Sequence, residues 1–549
     1  MKSILPLDRW TIVDAVRVQA ERYGERPFAT FMDATGTALG QLTFAGLDRE
    51  SDVVASALAR LGVEPEDRVL ALISNSAEFL ITMVATHKRR AIFAPINTEL
   101  KGAFLEHQVR NSEPKVMIVD DSLLERFRDV NIEGVGVEHL VVLGDQETKR
   151  PLSLAAPNRL SWTELVTLGA GADPADSLTP EPWDICTIMY TSGTTGPAKG
   201  VLMPQGHNLL FAINTATAMR LTEDDRYYCA MPLFHANGLY MQVWAAHCVG
   251  ATVSVVKRFS TSSWLDEVIA SGATVTNALG VMPEFIYRSP EDPRDRETAL
   301  TRVLAIPVAD EWGLKFEERF GVRVLQGFGM TEVNMPIWSD WDDPVQAGCA
   351  GRVVDEFFEV IVADPNTDLP LPAKAIGEIL VRPKRPFFFS AGYFKMPDKT
   401  VEAWRNLWFH TGDAAYFDDQ DRLHFVDRLK DRIRRRGENV SSYEVEQVIN
   451  EYPGVAESAA VGIRVEGAGG EEEIKVGLVM ESGAPALDHV DLLEFCVPRM
   501  PRFAIPRFLE VVDELDKTAS GKIRKQAMRD GGITPDTWDR DTIGWAPPR

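Results

Sequence analysis

The 549-residue sequence predicts an α/β fold in two domains. One is a large N-terminal domain of layered α/β subdomains with a small β subdomain, the other a small α+β C-terminal domain. Three observations predict this. Strand and helix patterns alternate through the first 350 residues, which argues for helices layered on parallel sheets. Short strands divided by turns replace that texture afterwards. A charged connector near Asp427 to Lys430 then leads back to strand and helix alternation, placing the domains at 1–427 and 431–549 with 428–430 between them. A chain of this length outgrows one ordinary core.

In chain order, "LTFAGLDRESDVVASALARLGV" reads as a short strand and then a helix with apolar residues at helical spacing, and "RVLALIS" as a buried strand. "EFLITMVATHKR" is helical. "AIFAPIN", "KVMIVD", "HLVVLG" and "CTIMYTS" are extended, and "NLLFAINTATAM" is again helical. Beyond residue 350, "EVIVAD", "GEILVRP" and "AAYFDDQDRLHFVDR" are strands, with Asp418 and Asp419 at a hairpin tip. "SSYEVEQVI" opens a helix with Ser441 or Ser442 as N-cap and Glu444 in its first turn.

Composition narrows the function. Charged residues make up 25% and hydrophobic ones 45%, as in ordinary globular enzymes. A net charge of −23 argues against nucleic acid or an anionic membrane as partner. Five scattered cysteines form no C-x-x-C pair, which suits a reducing cytoplasm. "MKSILPLDRW" is too short in apolar residues for a signal peptide, and Asn75, Ser76 and Glu78 break the most apolar stretch. Neither export nor membrane insertion is expected.

The stretch "YTSGTTGPAKGV" cannot build a core. Its glycines let backbone N–H groups approach a ligand, its hydroxyls donate hydrogen bonds, and Lys199 adds a mobile charge, which together suit a polyphosphate. Ala198 stands where the common nucleotide P-loop requires glycine before the lysine. The whole string instead resembles the phosphate loop of the adenylate-forming superfamily: acyl-CoA synthetases, adenylation domains and luciferases. Further superfamily elements follow in order: "QGFGMTE", "WFHTGD", "DRLKDRIRRRGENVSSYEVE" and "LDKTASGKIRK".

The resemblance implies ATP, Mg²⁺ and coenzyme A as ligands, CoA being a co-substrate, and a C-terminal domain that is mobile. Thr191, Ser192, Gly193, Thr194, Thr195, Gly196 and Lys199 would hold phosphates, and Phe328 with Gly329 would face adenine. Thr331 would meet the α-phosphate and Glu332 the magnesium. Asp413 and Arg428 would take the ribose, Lys430 would be the hinge, and Gly437 would begin the loop that approaches the thiol. Lys522 would bridge the attacking carboxylate and the α-phosphate as charge shifts between them. "MPLFHANGLY" places His235 at the acyl pocket, as pocket lining and gate or as packing, and "GYFKMPDKT" would be structural. "YTSGTTGPAKGVLMP", "PLFHANG", "TNALGVMP" and "GITPDTWDRDTIG" look closest to crotonobetaine/carnitine-CoA ligase-like acyl-CoA ligases.

Four departures stand out. "LAIPVAD" replaces a small-residue stretch, so Ile306 and Val308 would narrow the pocket towards a small or flat acid. Arg89 and Arg90 read as a surface pair, with an anion contact as the other meaning. Gln205 stands near a usual histidine and leaves one acyl-channel contact open, and Asp516 replaces a proline without chemical consequence. The expected reaction is an acid plus MgATP giving an acyl-adenylate and pyrophosphate, then transfer to CoA with release of AMP, in a monomer or homodimer. The alternatives keep adenylation and change the acceptor: a diazotase that adenylates nitrite for an aryl amine, or an amide-forming ligase. A nucleotide-binding regulator without turnover fits least, because Lys199, Glu332, Asp413, Arg428 and Lys522 are all present.

Overall fold

A computed structural model describes residues 9–33, 36–144, 158–173, 176–191, 197–279, 282–306, 308, 313–428, 432–435, 438–465, 471–481, 483–516, 523 and 525–548. Two seven-stranded sheets form the body of the N-terminal part. The first runs in spatial order 323–325, 302–306, 275–279, 226–229, 252–256, 27–32 and 38–43, parallel except for its last pair. The second runs 158–161, 139–143, 116–120, 68–72, 92–95, 185–191 and 199–204.

Sequence pattern explains these layers. Val69, Leu70, Ala71 and Leu72 are all fully buried, the continuous apolar run of a strand covered on both faces. Helices Ala77–Lys88 and Gln205–Ala218 are buried along nearly their whole length and contribute to one core drawn from both sheets. The second sheet departs from the all-parallel expectation at one edge, where Ile185–Thr191 pairs antiparallel with Lys199–Pro204. The phosphate-loop stretch joins the two strands, and so short a connection permits a hairpin but not a crossover.

The predicted small β subdomain is an antiparallel sheet of eight strands between Gly327 and Arg428. Its hairpin turns at Asp418 as predicted, the carboxylate accepting the N–H groups of Gln420 and Arg422 at 2.9 Å each. That sheet ends at Arg428. Beyond it come the hairpin Arg432–Arg435/Glu438–Ser441 and a separate four-stranded sheet spanning 455–539. Ser441 is the N-cap of helix Ser442–Asn450 and accepts the Glu444 N–H at 3.4 Å.

Arg89 and Arg90 are staples within the fold. Arg89 donates to the carbonyls of Val63 and Asp176, and Arg90 grips Asp184 through two bonds of 2.8 Å, which settles their role as packing and not anion binding. Gln205 is also no channel residue: it is fully buried, and its Oε1 accepts the N–H of Ile12, tying the first helix to the core. Among the described residues no helix is long and apolar enough to cross a membrane, and all five cysteines are buried and free.

Candidate active site

The hairpin edge, the small β subdomain and the C-terminal hairpin converge on a cavity of about 470 Å³. Tyr190, Thr191 and Ala198 reach it from the hairpin edge. Phe328, Gly329, Thr331 and Glu332 come from the strand and turn that follow Gln326, and Asp413 and Phe425 from the hairpin beyond. Gly329 has to be glycine: a Cβ there would lie 2.4 Å from the carbonyl oxygen of Asn334.

Antiparallel register places Thr191 directly opposite Lys199 across the neck of the loop. Glu332 lies at that neck, 2% exposed, and its Oε1 accepts hydrogen bonds from the Thr191 hydroxyl at 3.3 Å and the Tyr393 hydroxyl at 3.0 Å. The ammonium of Lys199 sits 4.2 Å from the centre of the Tyr393 ring. The motif "GYFKMPDKT", read from sequence as structural, therefore contributes Tyr393 to the site.

His207 supports the next residue. Its Nε2–H donates to the Thr331 carbonyl at 2.9 Å, and burial pushes its pKa down to about 4, so the ring is a neutral brace at ordinary pH. Asp413 stands across from Arg428 in strand register, and Gly412 before it adopts a φ of 73° that turns the chain into the site. Glu378 holds this turn by accepting the Gly412 N–H at 2.9 Å. Phe328 stacks on Phe425 with ring centres 6.4 Å apart, an aromatic wall suited to a base.

The C-terminal part closes the opposite side. Arg434, Glu438, Glu444, Arg464 and Glu472 line the same cavity. His235 Nε2 lies 3.3 Å from Glu438 Oε1, beside the tip of the C-terminal hairpin. Glu444 accepts the Ala198 N–H at 3.2 Å, while the Ala198 carbonyl accepts from His107 Nε2 at 2.8 Å, so both domains grip one residue of the loop. Burial pushes the Glu444 carboxyl up to about 7. A larger cleft of about 880 Å³ lies between helix Gly102–Ser112 and the C-terminal part. Charges there pair with one another, as Arg110 with Glu106 and Lys395 with Glu113, and no residue of the sequence motifs' proposed chemistry lines it.

The structure thus gathers Thr191, Lys199, His235, Phe328, Gly329, Thr331, Glu332 and Asp413. Ser192 to Gly196, Lys430, Gly437 and Lys522 lie outside the described residues, and Arg428 is described as a strand residue only. Two family models cover most of the chain: AMP-binding enzyme matches residues 16–394, and the AMP-binding enzyme C-terminal domain matches 444–522. The chain belongs to the AMP-binding enzyme family. It is an AMP-forming ligase.

Among curated relatives of this AMP-binding enzyme, the crotonobetaine/carnitine–CoA ligase of Salmonella heidelberg is 31% identical over 514 residues, 92% of this chain and 96% of the relative. That of Salmonella typhi is 30% identical over 517 residues, covering 93% and 97%. Solved structures with the same fold include an o-succinylbenzoate CoA synthetase from Bacillus subtilis bound with a product analogue. It is 24% identical, with a TM-score of 0.79 over 94% of this chain and 98% of that one. The amide bond synthetase McbA from Marinactinospora thermotolerans is 24% identical, with a TM-score of 0.77 over 94% and 99%. ATP-bound MatB from Rhodopseudomonas palustris is 25% identical, with a TM-score of 0.65 over 94% and 98%.

Sequence reasoning missed Tyr393, His207, His107, Glu378 and Glu444. Their partners lie far away in the chain, so no local pattern marks them. Tyr393 and Glu444 carried a signal, since each lies inside a motif already singled out.

Proposed function

We propose that this ligase activates a small carboxylic acid and divides the work between its two faces. In the first step a carboxylate oxygen of the acid attacks the α-phosphorus of ATP, and the bond to pyrophosphate breaks. In the second, the thiol of coenzyme A attacks the acyl carbon and AMP departs with the electrons of the mixed anhydride. The convergence of Thr191, Glu332 and Asp413 with His235 and Glu438 on one cavity, with Lys199 beside it over the Tyr393 ring, carries this reading.

Thr191 and Lys199, with 192–196 between them, hold the pyrophosphoryl group, and Thr331 meets the α-phosphate. Asp413 accepts from the ribose hydroxyls, opposite Arg428. Mg²⁺ fits Glu332: the carboxylate is buried at the loop's neck, both hydrogen bonds arrive on one of its oxygens, and a magnesium carried by ATP needs one or two carboxylates. When bound it screens the phosphate charges that would repel an incoming carboxylate. Among the described residues no group of three His, Cys, Asp or Glu forms a resident metal site of its own.

Lys522 serves the first step, and rotation about 428–430, with Lys430 as hinge, presents Gly437 and its neighbour Glu438 for the second. A cavity of about 470 Å³, with Ile306 and Val308 in its wall, favours a small acid over a long chain. Free, buried thiols favour a reducing cytoplasm. The test is mass spectrometry of products after incubation with MgATP and small aliphatic and aryl acids, each with and without CoA, plus nitrite with aryl amines. A thioester that appears only with CoA supports the reading. AMP release that ignores CoA and requires an amine overturns the acceptor.

A further inference from the structure

The acyl side of the cavity contains a polar relay that the adenylation steps do not use. Phe211, Met231, Phe234, Met241, Leu279 and Met335 make this wall apolar, yet Asn237 stands among them at 8% exposure. Its Oδ1 is fully engaged. Gln242 Nε2 donates to it at 2.8 Å and Asn277 Nδ2 at 3.3 Å, while Asn277 Oδ1 in turn accepts the Tyr227 hydroxyl at 2.5 Å.

Gln242 and Tyr227 are fully buried and Asn277 is 2% exposed. Four polar side chains in an apolar wall are costly unless hydrogen-bonded, and these bond to one another while Gln242 Oε1 is left without a partner. The backbone is shaped for the contact. Asn237 sits in the short helix Ala236–Gly238, which runs directly into the π-helical turn Leu239–Trp244 that carries Gln242.

The relay sets the amide's orientation. With Oδ1 taken by two donors, the group that Asn237 offers a ligand is its NH₂. One of those hydrogens meets only the thioether of Met241, at 3.5 Å, a weak acceptor. An amide N–H in an apolar pocket recognises a neutral oxygen. A second carboxylate would need a cation, and among the described residues that line the cavity the only Lys or Arg are Arg434 and Arg464, both from the C-terminal part and not from the apolar wall around Asn237.

We infer that the acid carries, away from its carboxylate, a neutral hydrogen-bond acceptor such as a hydroxyl, carbonyl or ether oxygen that Asn237 binds. This rests on the acid-activation reading and names the class of its substrate. A pocket built to hydrogen-bond one group rejects the analogue that lacks it, because the amide is then buried without a partner.

The experiment measures pyrophosphate release by the full-length enzyme with MgATP and CoA. The probes are butanoate, pentanoate, hexanoate and benzoate, each beside its monohydroxy and oxo or methoxy counterparts. At least one oxygenated acid should exceed its parent in kcat/KM by roughly ten- to hundred-fold. Asn237→Leu should bring that ratio close to one. Asn237→Asp, nearly the same in shape but an acceptor in place of a donor, should lower it as well. The selectivity ratio separates recognition from damage to the fold, since general loss of activity lowers both members of a pair together. A ratio near one in the natural enzyme, or one that survives in both variants, overturns the inference. Absence of pyrophosphate with every acid overturns the acid-activation reading itself, and the inference with it.

Discussion

Replacing Glu444 by glutamine removes a buried ionisation from the contact between the two domains. The carboxyl lies against the backbone of Ala198, and burial pushes it from an ordinary 4.5 to about 7, opposed in part by the Ala198 N–H. At 1.36 kcal/mol per pKa unit the shift corresponds to on the order of 3 kcal/mol. The sign follows from linkage. Below about pH 4.5 the carboxyl is protonated whether the domains are docked or apart, and docking carries no ionisation cost. Between 4.5 and 7 the docked form takes up a proton, and above 7 the whole cost applies, lowering the docked population by roughly a hundred-fold relative to acid pH.

His107, which faces the same Ala198, is held below the usual histidine range by burial, so it adds no charge in the upper part of this window. Energy transfer between fluorophores placed on the two domains, read from pH 5 to 8, reports docking directly. The natural protein should undock as pH rises and the Glu444→Gln protein should stay docked throughout. The same pH slope in both would refute Glu444 as the group responsible.

Lys522→Ala should abolish adenylate formation while a synthetic acyl-adenylate is still converted to thioester with CoA; equal loss in both half-reactions would exclude alternation about Lys430. Tyr393→Phe removes one bond to the Glu332 carboxylate, a contact of about 1–2 kcal/mol, and should raise the magnesium concentration needed for half-maximal pyrophosphate release several-fold. Lys88 is fully buried and donates to Asp48 at 2.6 Å and Asp52 at 2.7 Å. Lys88→Met leaves two partly exposed carboxylates without their cation, so a cost of about 3 kcal/mol is expected and a thermal melt should shift down by several degrees.

The sequence by itself determined the features that are local. A phosphate loop needs its glycines, hydroxyls and lysine within a few bonds of one another, so "YTSGTTGPAKGV" announces itself in one dimension. So do the buried strands, whose apolar runs are contiguous, and the helix start at Ser441 or Ser442, of which the structure makes Ser441 the cap. The tertiary structure alone decided what depends on distance in space. Tyr393 meets Glu332 across 61 residues, His207 meets Thr331 across 124, and Glu444 meets Ala198 across 246. Such contacts arise from sheet order and domain docking, which leave no periodicity behind. For the same reason Arg89 and Arg90 were ambiguous on the page and unambiguous in the fold: a guanidinium is a staple or an anion site according to which partner the chain brings to it.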